Sequence, residues 1–301
     1  MSIAERRFGR PVPEVVRPKI DWLPYALLLP ALVFLAVFFV YPMLQALILS
    51  VRGADGGFTL RHFQAMAADT YFSGAIRNSI VLTAITIPIQ VTIGLVIALL
   101  VNARFAGHTW FLYVCAIPLG ISDLAAGLIW LSIFTERGYL NALLQGLGLI
   151  QQPLTFLSFE HTGWLYGAIV ATEVWRATAI VMVILVAGLQ LIPKDYFETA
   201  DVFGATGWRK LRYVTLPLLR PSLQTALIIR TILAFQLFAT VITLAGRIVP
   251  VLAGEAYFQY SLYRSPAIAS AYAVLIMATS MAMTVLYLRL LRTREEGTGR
   301  G

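Results

Sequence analysis

Four ionisable side chains, Asp123, Glu173, Arg176 and Arg230, lie inside long apolar runs of this 301-residue chain. On membrane-insertion scales each such charge costs roughly 2.5–3.5 kcal/mol, so each needs a reason to be there. One reason is to fasten helices together. Glu173 and Arg176 are three residues apart and can pair along one helix, and a pair of Glu173 with Arg230 across helices is equally cheap, which makes Glu173 and Arg230 a candidate structural ion pair. The other reason is to handle a polar solute. Carboxylate, guanidinium and amide groups such as those of Asp123, Arg176 and Gln236 bond hydroxyls, while aromatic faces such as Trp175 and Phe235 pack on the C–H side of a sugar ring. Bond-making chemistry has no comparable set. Cys115 is the single cysteine and lies in an apolar run, and His62, His108 and His161 are scattered. No disulfide frame, metal site or catalytic constellation is expected from them.

A second polar feature is the segment from Glu198 to Pro217, basic and wedged between two apolar runs. Pro193, followed by Asp195 and Glu198, reads as a helix start, with acidic residues where the helix dipole favours them. Gly204 and Gly207 end that helix, and Trp208-Arg209-Lys210-Leu211-Arg212 begins a second, amphipathic piece leading to Leu216-Pro217. Such a segment suits either an interfacial helix on anionic lipid or a docking element for a partner protein.

The elements that must hold these residues are membrane spans. The chain is 59% hydrophobic and only 13% charged, and a bilayer core about 30 Å thick needs about 20 apolar residues per helix. Six stretches qualify: 22–50, 76–101, 109–134, 164–190, 219–245 and 268–291. They are continuous runs and lack the short alternating segments of a β-barrel, which predicts an all-α membrane protein of six transmembrane helices. The polar segment falls between the fourth and fifth spans. Residues 22–292 form the expected transmembrane domain, flanked by tails 1–21 and 293–301, with the polar loop at 193–217. The first run is too long for a signal-peptide core. With both termini inside, fifteen Lys and Arg fall on the cytoplasmic side against six outside, the direction that the positive-inside bias demands. The net charge of +8 then follows from topology and lipid headgroups, and nucleic acid is not an expected partner. Pro118-Leu-Gly120-Ile-Ser-Asp123 sets a helix breaker beside a charge at mid-span, the best place for an irregular, cavity-lining bend. The loop 135–163 is long enough for a short surface helix or lid.

Glu198, Ala200, Gly204, Ala205, Leu216 and Pro217 stand at the defining positions of a known motif, and the segment resembles the coupling loop of ABC-importer permeases. The likeness extends to Leu27-Leu-Leu-Pro30-Ala, Tyr41-Pro42, Ile117-Pro118, Glu173-Val-Trp175, Gly188-Leu-x-x-Ile192-Pro193 and Arg230-Thr231. Together these look like the carbohydrate permeases of the maltose, trehalose and glycerol-phosphate type. The resemblance implies a permease in a bacterial or archaeal plasma membrane. Its partners would be a second permease in a heterodimer, an ATP-binding cassette ATPase dimer, an extracytoplasmic solute-binding protein and a sugar. It assigns Glu198, Ala200, Asp201, Gly204, Ala205, Leu216 and Pro217 to ATPase coupling, with Thr199 where a second Ala is usual and Phe203 where an acidic residue is usual. It implies a solute path along Leu119, Asp123, Trp175, Arg176, Thr178, Phe235 and Gln236, with Ala239 where relatives often carry Asp or Asn. No Gly-x-x-x-x-Gly-Lys-Ser/Thr phosphate loop occurs in the chain, so ATP and Mg would be bound by the partner ATPase and this chain would carry no cofactor. An ion-coupled secondary transporter using Asp123 and Glu173 as a relay is the alternative. Six spans without an inverted repeat are few for it, and it leaves the coupling loop unexplained.

Overall fold

The structure is a computed structural model that describes residues 22–290. The tails expected at 1–21 and 293–301 lie outside the described residues, as do Arg6 to Lys19 and Arg292 to Arg300, on which part of the expected orientation rests. In lipid the backbone must satisfy its own hydrogen bonds, so even runs rich in Ile and Val fold as helices. The described residues form α1 (Leu23–Leu35), α2 (Tyr41–Val51), α3 (Arg61–Ala67), α4 (Phe72–Asn102), α5 (His108–Ala116), α6 (Asp123–Phe134), α7 (Tyr139–Gly146) and α8 (Thr162–Gln190). They continue with α9 (Lys194–Val202), α10 (Gly207–Lys210), α11 (Leu216–Phe235), α12 (Ala239–Ala245), α13 (Leu252–Ser261) and α14 (Pro266–Leu290). The described residues divide into two compact units, one ending at Gln45 and one beginning at Ala46, and the second carries every candidate site residue.

Five helical stretches are long and apolar enough to cross a membrane: Leu23–Val51, Phe72–Asn102, Thr162–Gln190, Gly207–Phe235 and Pro266–Leu290. A sixth results if His108–Gly120 and Asp123–Gly146, bent by 102°, are one broken span. The third expected span is therefore not a continuous helix. Pro118 sits in a tight turn, Ile117–Gly120, after which Ile121 and Ser122 are extended, and the Ser122 hydroxyl accepts the Ala125 N–H to start α6. The fifth expected span, 219–245, is also corrected. Its helix begins twelve residues earlier, at Gly207, and stops at Phe235, with α12 separate. No Gly or Pro marks that stop. Phe235 packs with Leu252, Ala271 and Tyr272, whereas Leu237 packs with Leu82, Leu165 and Ile169, so tertiary packing decides where the helix ends.

Two π-helical turns interrupt the helical stretches, and each immediately precedes an X-Pro step. Tyr41 N–H reaches the Ala36 carbonyl before Pro42, and Leu216 N–H reaches the Leu211 carbonyl before Pro217. A proline ring clashes with the carbonyl four residues back, and the wider turn takes that carbonyl out of the way. Leu216-Pro217 thus continues a helix rather than closing a loop.

Helix α8 is the central post. It packs on α4 and α11 through Val181, Met182, Leu185 and Leu189 against Ala98, Val101, Leu219 and Ala226. Small residues bring the backbones close, as membrane helix pairs require. A Cβ added at Gly94 would lie 2.8 Å from Val181 Cγ1, and one added at Gly188 would lie 2.1 Å from Ser222 Oγ and 2.6 Å from Ser222 Cβ. Gly188→Ala is expected to cost about 1–3 kcal/mol by overpacking, read as a lower melting temperature of the detergent-purified protein. Adding Ser222→Gly should recover most of the loss; an unchanged melting temperature in the single variant would mean that these two helices have room to part. Threonines inside the spans, such as Thr86, Thr172 and Thr178, donate to the carbonyl four residues back, which satisfies a hydroxyl without a partner helix.

Candidate functional site

The buried charges of α8 and α11 and the half-exposed Asp123 of α6 converge into one network. Arg176 Nη1 lies 2.8 Å from Asp123 Oδ1, and Arg176 Nη2 lies 3.2 Å from Glu173 Oε2. Arg230 Nη2 approaches the same Glu173 Oε2 at 3.7 Å. Both arrangements weighed from the sequence, local and cross-helix, are therefore present at once. Two residues that sequence reasoning passed over complete the network. Gln90 of α4 accepts from Arg230 Nε at 2.9 Å and donates to the Glu173 carbonyl at 2.9 Å; Thr240 of α12 donates to Glu173 Oε1 at 2.9 Å. The available signal was a lone amide in the middle of an apolar run, the same signal that exposed the four charges. Arg176 Nε and Arg230 Nη1 are buried without a hydrogen-bond partner among the described residues. In a medium of low dielectric such pairs are strong but costly to desolvate.

The remaining solute-path candidates are not gathered in one pocket. Trp175 and Thr178 line a cavity of about 310 Å³ with Cys115, Pro118, Val174 and Met182, between α4, α5 and α8. Leu119 follows Pro118 and is half exposed. Phe235 lines a different crevice of about 700 Å³ between α4, α11 and α14, and Gln236 a third of about 540 Å³ between α11 and α14. Trp130 of α6 meets the Trp175 ring edge-on at 5.9 Å, tying the arm of the break that follows Ser122 to α8.

The polar segment between α8 and α11 has a closed local architecture. Pro193 precedes α9, whose C-terminus ends on Gly204 at φ +68°. Gly204 N–H bonds the Asp201 carbonyl and Ala205 N–H bonds the Ala200 carbonyl, each at 2.9 Å, the paired closure of a Schellman motif. The Ala200, Gly204 and Ala205 positions of the sequence motif are thus those that close this turn. Thr206 caps α10, and Asp201 pairs with Lys210, which binds the two short helices to each other. Glu198 is exposed, and so are Val202 and Phe203, at 86% and 85%. Leu216 and Pro217 lie past the second π turn, half-buried at the start of α11.

A further charged centre was not singled out from the sequence. Arg247, in the turn between α12 and α13, forms a two-pronged pair with the buried Glu255, Nη2 to Oε2 at 2.6 Å and Nε to Oε1 at 3.2 Å. Its Nη1 donates to the Tyr263 hydroxyl at 2.8 Å, and its guanidinium lies 3.8 Å above the Tyr71 ring. The hydrogen bond to Glu255 is the largest influence that holds Arg247 protonated more firmly than usual, against the opposing effect of burial. The two residues lie in different elements, Arg247 in a turn and Glu255 in α13, so no single helix or strand brings them together and the pair escapes pattern reading. Beside it Gly246 adopts φ +56°, ψ −122°, a conformation in which a Cβ is strained.

Residues 79–294 match the family described as binding-protein-dependent transport system inner membrane component. The sulfoquinovosyl glycerol transport system permease protein SmoG of Agrobacterium fabrum is 32% identical, over 89% of this chain and 90% of its own length. The trehalose transport system permease protein SugA of Mycobacterium tuberculosis is 30% identical, over 74% of this chain and 73% of its own. Among solved structures, a chain of a bacterial ABC transporter involved in the import of the acidic polysaccharide alginate shares the fold. It superposes with a TM-score of 0.79 at 21% identity, over 90% of this chain and 96% of the matched one.

Proposed function

Because this chain belongs to the family of binding-protein-dependent transport system inner membrane components, we infer that it is a multi-pass membrane permease subunit of a carbohydrate ABC importer, a transporter component and not an enzyme. Relatives named for sulfoquinovosyl glycerol and for trehalose transport support a sugar or sugar-like solute. The ion-coupled alternative is the weaker reading on the same grounds.

The working assembly pairs this chain with a second permease, an ATP-binding cassette ATPase dimer and an extracytoplasmic binding protein. The observation that carries this reading is the segment from Lys194 to Lys210. Helix α9, held by the Gly204 turn and the Asp201–Lys210 pair onto α10, the first turn of the fifth apolar stretch, presents exposed Glu198, Val202 and Phe203 ahead of that stretch. An exposed apolar tip on a rigid polar support is a docking element. The Lys and Arg bias supports placing it, and both termini, on the cytoplasmic side, where an ATPase works. ATP and Mg would be held by that partner, and the missing phosphate loop in this chain supports the division of labour.

For the solute, the Asp123–Arg176 pair at the break of the third span offers an acceptor and a donor to hydroxyls, with Trp175 as a flat apolar face. Since Trp175, Phe235 and Gln236 line separate crevices, this chain supplies one wall of the path and the second permease closes it. The test is purification of the tagged chain from its native membrane, followed by uptake in proteoliposomes with trehalose as the first solute offered. Co-purification with an ATPase and a second permease, and uptake that stops without ATP, are expected. Full uptake by the isolated chain on an ion gradient alone would sink the reading.

A further inference from the structure

The charge network has a feature that pairing alone does not explain. Glu173, with 2% of its side chain exposed, faces two guanidinium groups, those of Arg176 and Arg230. One buried carboxylate between two cations leaves a surplus positive charge, and Asp123 cancels it through Arg176 Nη1 at 2.8 Å. Asp123 differs from the other three members in its surroundings. Its side chain is 49% exposed, against 12% for Arg176 and 1% for Arg230. It also stands on the far side of the break, at the first position of α6, where Ser122 and not α8 fixes the backbone.

We propose that Asp123 is a charge filter on the solute path: by occupying Arg176 it turns an anion site into one for neutral, hydroxyl-bearing solutes. The inference rests on the reading that Asp123 and Arg176 border the path. A solute carboxylate or phosphate approaching Arg176 meets the half-exposed Asp123 carboxylate first, and like charges at contact distance repel. The guanidinium face that would attract it is already taken. A sugar hydroxyl has no such conflict, since it donates to Asp123. Without the Asp123 charge, Arg176 Nη1 loses its acceptor and the network carries one net positive charge.

The experiment uses the whole importer in nanodiscs, with glucose and glucuronate as probes that differ by one carboxylate. Saturation-transfer NMR titrations compare wild type, Asp123→Asn, Arg176→Gln and Asp123→Asn/Arg176→Gln. Wild type is expected to prefer glucose. Asp123→Asn is expected to raise glucuronate binding relative to glucose by about tenfold, with a gain that shrinks as salt is added and vanishes in the double variant. Asp123→Ser, which keeps a helix-start residue at that position, carries the same expectation should the Asn variant fail to assemble. An unchanged ratio in an assembled Asp123 variant, with Arg176→Gln weakening both probes, would overturn the filter and leave the path reading standing. If neither Asp123 nor Arg176 variants alter either probe, the path reading itself fails and the filter with it.

Discussion

Replacing Glu173 by Ala is expected to cost about 3–5 kcal/mol and to remove most of the folded protein from the membrane fraction. The substitution leaves Arg230, with 1% of its side chain exposed, facing a cavity where its counter-ion stood, and it takes one of the two carboxylates from Arg176. Thr240 loses its acceptor at the same time. Arg230→Ala should be harmful but milder, because it strands the Gln90 amide oxygen while Glu173 keeps Arg176 and Thr240. The double change Glu173→Gln/Arg230→Gln is expected to be milder than either single Ala variant, since it deletes both charges and keeps an acceptor for Thr240. Melting temperatures and size-exclusion profiles in detergent of Glu173→Gln, Arg230→Gln and their combination, arranged as a double-mutant cycle, measure the coupling. Additive effects would show that the 3.7 Å approach carries no energy.

The second large effect concerns the segment between α8 and α11. Gly204→Val forces a β-branched residue into φ +68°, a local strain of roughly 1–2 kcal/mol, and opens the turn closed by Ala205 N–H on the Ala200 carbonyl. The spans do not depend on that turn, so their melting temperature should hold. Under the proposed docking, ATP-dependent uptake should nonetheless fall to background and the ATPase should be lost on purification. Glu198→Arg, which changes an exposed charge and no backbone angle, should reproduce the loss in weaker form. Retained uptake in both variants would remove this segment from the coupling role.

The helical fold and the four charges could be read early for one reason, that a charge in hydrocarbon is too costly to be incidental, whereas the Asp123–Arg176 pair and the parts of Gln90 and Thr240 could not. The same cost made the break at Pro118 to Asp123 visible, because its residues name both the breaker and the polar group that follows it. The 102° angle was not visible, since it depends on what α6 packs against. The end of α11 escaped for a related reason. Phe235, Leu237 and Phe238 are all apolar, so a hydropathy average runs straight through a break that packing imposes. Likewise Trp175, Phe235 and Gln236 could be placed on their own helices, but which neighbour each one faces is a tertiary fact, and the structure sends them to three different crevices.

The π turn before Pro217 has a geometric consequence for transmission. A π turn holds one residue more than an α-helix needs, and one residue is about 100° of rotation about the axis. Trp208 and Lys210 therefore stand a quarter-turn out of phase with the face that α11 continues beyond Leu216. The stretch Leu211–Thr215 sets the clocking between the exposed polar end and the buried span, in the way a keyed joint sets the angle between two shafts. A change in that one turn would reorient one end while leaving the composition and apolar character of the other untouched.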